Sequence, residues 1–548
     1  MKFNFFIPIL LLFFSMNILV SCKQQERLSG DLIISNVNVV DILKEQIVPG
    51  QDILINGNTI QKIVPHGEFS LDSGEIVDAR GKFIIPGLWD MHAHVRSYSQ
   101  NDNLPMFIRY GITGIRDLGL TNYELIKYWK EKIASKEIMG PRIQSSGVII
   151  EGASARFPSS VVINDMEDVQ PTLDSLISQK VDVIKLFQNI PSDVFKEIIR
   201  YANEKSIVTS GHIPNDMNQI TAAEAGLGSI EHLFGIGNTL ANSEQFTFSK
   251  EEVQKLATVL RENNTYECPT MVNLAYFVKL GKASKDSLVA QQLFEKDSAL
   301  KLTPAYFKAW WSAIKTRNMA NFDQEDYERF HKQLAFNGEV INTLHDLGVK
   351  ILAGTDVPNP YIITGISLHE ELEQFVHAGM KPVDALKTAT LYPAQYFKKE
   401  NSMGVVAPNY MADLVILEAD PLQDISNTKH IHAVISNGEF YSNKTLSRIE
   451  NAQKEQLSEY KVTDFDQYIY MDVRRNGIDI VRKKYPDLKS NKEYTVEKHH
   501  LLRLARALRG GMQPQEAIKA LEWNLALFPN DEASLGLQSE IAEKNKEL

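Results

Sequence analysis

Cysteine is nearly missing: only Cys22 and Cys268 occur in 548 residues. Two cysteines cannot build a disulfide framework, and no cluster exists for a zinc ribbon or an iron–sulfur centre. Positive charge is also scarce, with 58 Lys and Arg against 69 Asp and Glu and a net charge of −11. That balance argues against an electrostatic grip on nucleic acid or anionic lipid and leaves small-molecule substrates open. Long apolar runs are confined to the start, from Phe5 through Val20, and no later stretch suits a bilayer crossing. What remains is an ordinary globular composition, 43% hydrophobic and 23% charged, long enough for one large domain with attachments.

Lys2, the apolar run and Leu19-Val20-Ser21-Cys22 before polar Lys23-Gln24-Gln25 read as a signal peptide over residues 1–22. The residues before Cys22 resemble a bacterial lipobox, which implies lipidation of Cys22 as the first residue of the mature chain. The plainer reading is a cleaved signal whose Cys is incidental. The lipobox predicts an exported protein, lipid-anchored to a bacterial membrane and facing the periplasm or exterior. Cys268 is then alone, and a small buried hydrophobe is the default reading of its strand-like surroundings.

From Asp31 to about Ile85, β-rich runs alternate with turn signals at Gly50, Gly57 and Gly81. A matching set returns at Asp413 to Leu417 and His432 to Ser436, with Asn437-Gly438 as a tight turn before Glu439 to Tyr441. Strands on both flanks predict one composite β-sandwich domain from residues 30–86 and 400–445. Between them, residues 87–399 alternate short apolar strands with helical patterns. Strand candidates run in order at Leu88 to Met91, Gly114 to Asp117, Arg142 to Ser146, Val183 to Phe187, Ile207 to Gly211, Ser229 to Glu231, Glu267 to Met271 and Lys350 to Thr355. The fold class is therefore α/β, a (β/α)8 TIM barrel whose catalytic groups sit where strands end. Leu280 to Leu344 is too long for one connection and reads as a helical insertion at the rim. Residues 446–548 turn charged and helix-forming, a helical extension resembling a tetratricopeptide unit. Packing against the barrel and binding of a partner protein are both open to it.

The strongest motif is Pro86-Gly87-Leu88-Trp89-Asp90-Met91-His92-Ala93-His94. Residues two apart on a strand project to one face, so His92 and His94 can present both imidazoles to one ion. Lys185 lies in the otherwise apolar Val183-Ile184-Lys185-Leu186-Phe187, where a lysine must justify its burial. His212, His232 and Asp356 close Val208 to His212, Ser229 to His232 and Ile351 to Asp356. Each alone has a bland explanation: a satisfied core histidine, a snorkelling lysine, an N-capping aspartate. Together they fall at the ends of strands one, four, five, six and eight, which packing alone does not produce.

At this point the chain resembles the amidohydrolase superfamily, in particular its imidazolonepropionase-like branch with Xaa-Pro and other dipeptidases. The resemblance covers about Leu32 to Tyr441 and includes Gly111-Ile112-Thr113-Gly114-Ile115-Arg116-Asp117, Leu368-His369-Glu370-Glu371-Leu372 and Ala412-Asp413-Leu414-Val415. It implies two divalent ions, zinc above others, bridged by a carbamylated Lys185. It also implies that His92, His94 and Asp356 hold one ion and His212 and His232 the other. Neutral imidazoles and carboxylates suit such ions without reference to any family. An unmodified ammonium at Lys185 would repel them and argue for a single ion.

The resulting expectation is a metal-dependent hydrolase that cleaves an amide C–N bond of a dipeptide or N-acyl amino acid by attack of a metal-activated hydroxide. Asp356 is expected to move the proton from water to the departing amine. For substrate binding, Arg116 and His369 could meet a carboxylate or carbonyl. An internal salt bridge competes as the reading of Arg116, and helix packing as that of His369. The other histidines, His66, His331, His345, His377, His430, His432, His499 and His500, read as structural. Two alternatives stay open: a cyclic-amide hydrolase of the imidazolonepropionase type, and a non-catalytic lipoprotein that captures a ligand. The oligomeric state is left open, with a homo-oligomer allowed.

Overall fold

The computed structural model describes residues 26–95, 104–120, 123–283 apart from 154 and 158, 302–303, 324–456, 469, 472–473, 476–485, 496–510 and 513–544. Five strands come first: β1 (Glu26–Asp41), β2 (Gln46–Asn56), β3 (Thr59–Pro65), β4 (Phe69–Asp78) and β5 (Phe83–Pro86). Nine follow in the middle: β6 (Leu88–Ala93), β7 (Ile112–Asp117), β8 (Arg142–Ser145), β9 (Ile149–Glu151), β10 (Val161–Val162), β11 (Val183–Leu186), β12 (Val208–Gly211), β13 (Ser229–Glu231) and β14 (Tyr266–Cys268). The last three are β15 (Leu414–Leu417), β16 (Ile431–Ser436) and β17 (Glu439–Ser442).

The middle strands form the barrel. β6, β7 and β8 pair in parallel, and so do β9, β11, β12, β13 and β14 in that order. β8 and β9 are two pieces of one pass, and Asp182 N donates to Ser145 O (2.8 Å) just before β11. The eighth segment, residues 350–357, closes the ring although only isolated bridges mark it, at Ile351 to Glu267 and Val357 to Ala93. Leu352 N donates to Glu267 O (2.7 Å) on one side, and Met91 N donates to Ala353 O (2.8 Å) on the other. The apolar runs expected from the sequence are thus the staves, buried on both faces as parallel strands between helices must be: every residue of β6, β7 and β11 is buried.

Both flanks meet in one eight-stranded sheet, in the order β17-β16-β15-β5-β1-β2-β3, with β4 also on β1. Strand β1 changes partner along its length, pairing with β4 near Leu32 to Ser35 and with β5 at Asn38 and Val39, which folds the sheet over a core of its own. Period-two alternation, shifted by a bulge where Ile416 and Leu417 face Ala433 and Ile431, divides the returning strands between two interiors. Leu414, Ile416, Ala433 and Ile435 face the small core with Ile34, Ile53 and Ile84. Val415, Leu417, Ile431 and Val434 face the barrel core. At the β16–β17 hairpin, Asn437 and Gly438 have φ of 52° and 75°, the left-handed pair that an Asn-Gly turn of the tight primed type demands.

In the rim insertion, helices Met271–Ala283 and Gln324–Asp346 are described, and most of the chain between them lies outside the described residues. The C-terminal extension is helical, with Lys498–Gly510, Pro514–Leu527 and Glu532–Lys544 around Leu501, Leu504, Leu508, Ala517, Leu521 and Trp523. Cys22 lies outside the described residues. Among the described residues, no helix is long and apolar enough to cross a membrane.

Candidate metal centre

Six side chains from five barrel segments gather at one rim. His92 lies in β6 and His94 one residue past it; Lys185 lies in β11; His212 and His232 directly follow β12 and β13; Asp356 lies in the closing segment. Asp356 Oδ1 is 3.0 Å from His94 Nε2 and 3.5 Å from His92 Nε2, and its Oδ2 is 3.7 Å from His232 Nε2. Ring centroids of His92 and His232 are 4.5 Å apart, and those of His212 and His232 5.0 Å. One ligand atom each from His92, His232 and Asp356 lies within 4.8 Å of the other two.

The rings are held from behind. His92 Nδ1 meets Glu231 Oε2 (2.6 Å), His212 Nδ1 meets Gln188 Oε1 (2.9 Å), His232 Nδ1 meets Thr270 Oγ1 (2.6 Å), and His94 Nδ1 meets the Gly119 carbonyl (3.4 Å). With Nδ1 engaged in all four, Nε2 is the nitrogen turned towards the cluster and Asp356, the arrangement by which outer partners aim metal-binding imidazoles. His212 is further fixed by stacking on Phe234, 4.2 Å away and 8° from parallel. Glu231, Gln188 and Thr270, which orient these candidate ligands, are positions that the sequence reading did not single out. Glu231 had a signal, an acid inside an apolar strand beside His232; Gln188 and Thr270 had none.

Backbone strain accompanies the ligands. His232 and Asp356 adopt φ of 58° and 62°, a left-handed conformation that costs a non-glycine residue about 1–2 kcal/mol. The close approach of strands around Asp356 needs Gly354, where a Cβ would fall 2.6 Å from Cys268 Sγ and 2.7 Å from His92 Cβ.

Electrostatically the site suits a divalent cation. Burial drives the His92 and His212 imidazoles well below their usual range, and the neighbouring Lys185 charge pushes the same way. Neutral imidazole is the ligand form. Burial also lowers Lys185 to about 8, against the pull of Glu231 and Asp356. Its Nζ is buried and has no hydrogen-bond partner among the described residues, a costly state for an amine that is neither modified nor neutral. His92, Glu231 and Cys268 also stand close enough to share an ion. Glu231 is consumed by Arg116, Ser210, Ser229 and His92, and burial raises the Cys268 thiol far above its usual range, so that trio is a structural knot.

Two sequence expectations are corrected here. Arg116 does not meet substrate: it is fully buried, and its guanidinium donates to Met91 O, Ser229 Oγ (2.7 Å) and Glu231 Oε1 (2.8 Å) over the face of Tyr396. The competing internal salt bridge is what the barrel uses, because alternation points Arg116 inward. His369 is likewise occupied, with Nε2 on the Tyr110 carbonyl (3.0 Å) and Nδ1 on Thr428 (2.9 Å), and it is 1% exposed.

His212, His232 and Asp356 open onto a cavity of about 590 Å³, a volume suited to a small-molecule ligand. Leu233, Phe234, Leu274, Phe277 and Pro360 give it apolar walls, and Arg156, Gln188, Asn273 and Asn359 contribute polar groups.

With that geometry in view, three kinds of likeness bear on the chain. A profile of the amidohydrolase family matches residues 333–440. Adenine deaminase 3 of Rhizobium meliloti (strain 1021) is 20% identical over 415 residues, which cover 71% of this chain and 55% of that protein. The chain thus spans about half the length of the curated relatives it matches. Among solved structures, a bottromycin amidohydrolase superposes with a TM-score of 0.61 at 21% identity, covering 78% of this chain and 92% of its own. A Xaa-Pro dipeptidase with methionine bound in its active site gives 0.57 at 20% identity, covering 75% and 100%. Together these likenesses support the amidohydrolase superfamily.

Proposed function

We propose that this protein is a metal-dependent hydrolase of amide C–N bonds, acting on a dipeptide or an N-acyl amino acid. The observation that carries the proposal is the convergence of His92, His94, Lys185, His212, His232 and Asp356 at one end of the barrel, with four imidazoles each aimed through a committed Nδ1. His92, His94 and Asp356 would hold one divalent ion and His212 and His232 a second, zinc being the metal best matched to these donors. Lys185 as a carbamate would bridge the two, which answers a buried nitrogen that has no hydrogen-bond partner among the described residues. When bound, such ions lower the pKa of water towards neutrality and polarise the scissile carbonyl.

The chain's own groups do the rest. Asp356 Oδ2, which Asn359 Nδ2 holds at 2.5 Å, would take a proton from the attacking water and return it to the departing nitrogen. The apolar walls exclude bulk water and strengthen each polar contact within. The likeness to an adenine deaminase favours a second reading, hydrolytic loss of an exocyclic amine from a heteroaromatic ring, which is also C–N hydrolysis.

The test is chelation of the purified full chain, then restoration with zinc, cobalt or manganese, against panels of dipeptides, N-acyl amino acids, cyclic imides and aminopurines. Turnover of the first two classes that vanishes on chelation and returns with metal is expected. Turnover indifferent to complete metal removal rejects the proposal, and turnover of aminopurines alone moves it to the second reading. Asp356→Asn should cut kcat by roughly 10²–10⁴-fold with the fold retained, whereas a ligand-capturing protein would be indifferent.

A further inference from the structure

Arg156 lies on the loop that follows β9 and lines the same cavity as His212, His232 and Asp356. Its guanidinium carbon sits 5.5 Å from the Phe157 ring centre and 6.0 Å from that of Phe187. Phe187 in turn lies 4.4 Å from the His212 ring. A continuous aromatic ledge therefore carries a fixed positive charge to the edge of the ligand cluster.

The nearby acid, Glu151, feels the Arg156 charge but spends its oxygens elsewhere. Glu151 is buried, and its carboxylate accepts from the backbone N–H groups of Arg156 (2.7 Å) and Phe157 (3.1 Å) and from Ser160 Oγ (2.5 Å). That acid pins the loop and leaves the exposed Arg156 guanidinium without an ion pair within 4 Å among the described residues. Among the described residues lining the cavity, Arg156 is the one with a permanent positive charge. Leu233, Leu274, Phe277 and Pro360 supply apolar surface to the same cavity.

Given the amide-hydrolase reading, on which this step rests, we infer that Arg156 is the anion anchor of the substrate and that the substrate carries a free carboxylate together with an apolar group. A guanidinium lodged beside two aromatic rings offers N–H donors in a planar fork, the geometry that fits a carboxylate bidentately. Catalytic ions account for a carbonyl and a water but do not select a remote carboxylate; a charge displaced from them by one aromatic residue does. The site is thus selective for the acid over its neutral amide, and for an apolar partner over a charged one.

The experiment is titration calorimetry on the full chain, metal-loaded and metal-depleted, with 3-phenylpropionate, its amide and 2-phenylethylphosphonate as probes, in wild type, R156M and R156K. Wild type should bind the carboxylate best. R156M should weaken carboxylate binding by roughly tenfold or more while amide binding and the thermal midpoint stay put, and R156K should recover only part. In turnover, R156M should raise KM for an N-acyl amino acid more than it lowers kcat, and should erase the preference over the corresponding amide. Carboxylate binding unchanged in R156M, equal loss of acid and amide, preference for the phosphonate, or no binding of the carboxylate by wild type would each overturn the inference. If no amide is hydrolysed at all, the proposed function fails while the calorimetry still decides Arg156.

Discussion

His92 Nδ1 and Glu231 Oε2 lie 2.6 Å apart in a place water does not reach, with side chains 1% and 0% exposed. The same carboxylate is 2.8 Å from the Arg116 guanidinium. One acid thus orients an imidazole of the metal site and neutralises the buried arginine inside the barrel. Burial opposes its ionisation, but Arg116 and His92 outweigh burial and hold it well below the usual carboxylate range.

Glu231→Gln should therefore fail twice. Removing the anion leaves Arg116 buried and unpaired, at a cost of about 3–5 kcal/mol, and misaiming His92 should weaken metal affinity by roughly 10–100-fold. Chemical denaturation and metal analysis after dialysis read the two effects separately. A variant as stable and as metal-replete as wild type would show that the contact is incidental.

Lys185 offers a cleaner chemical test, because among the described residues Nζ has no hydrogen-bond partner to lose. Lys185→Arg keeps a positive charge but cannot be carbamylated, and should fall short of the full metal complement even in excess zinc. Lys185→Ala should behave similarly and regain metal when a short carboxylic acid and zinc are added together. Full occupancy of Lys185→Arg, measured by elemental analysis, would leave the bridging role without support.

Burial pushes His369 down to about 4, even though its bond to the Tyr110 carbonyl favours the charged ring. Its folded pKa is thus below its unfolded value, so the unfolded chain takes up a proton that the native state refuses. Stability should be untouched above about pH 6.5 and should fall as pH drops towards 4, by up to about 3 kcal/mol from this group. His369→Gln should lose stability at neutral pH but lack that share of the acid slope. Parallel acid profiles for the two proteins would contradict it.

Cys22 decides the anchor. Expressed with its leader in a bacterium that lipidates exported proteins, the chain should partition with membranes and release into detergent. Cys22→Ser should shift it to the soluble exported fraction without loss of specific activity, and membrane association that survives the substitution would refute a lipid link.

The cluster of candidate ligands was legible because they fall within or just past short barrel strands, so one dimension of spacing already placed them on a common rim. The composite sheet was legible because Asn437-Gly438 marks a hairpin that only a strand pair can use. Glu231, Gln188 and Thr270 were hard to see because their roles arise across the barrel, between strands whose neighbours no local pattern names. Arg116 leaves two readings open, substrate recognition and an internal salt bridge, until the inward face of β7 is fixed by Gly114, where a Cβ would strike the Trp89 ring at 2.1 Å. Arg156 escaped notice because a loop arginine has no periodicity; its meaning comes from Phe157, Phe187 and the way Glu151 is spent.

Strand β15 has a consequence for how the protein is made. It sits between β5 and β16, so the first five strands present an open edge at β5 until the ribosome has delivered residues some 330 positions downstream, Phe83 pairing with Leu417 and Pro86 with Leu414. The barrel meanwhile lacks Val415 and Leu417 from its own interior. A nascent chain stalled before that point is an adhesive intermediate with an unsealed β-edge.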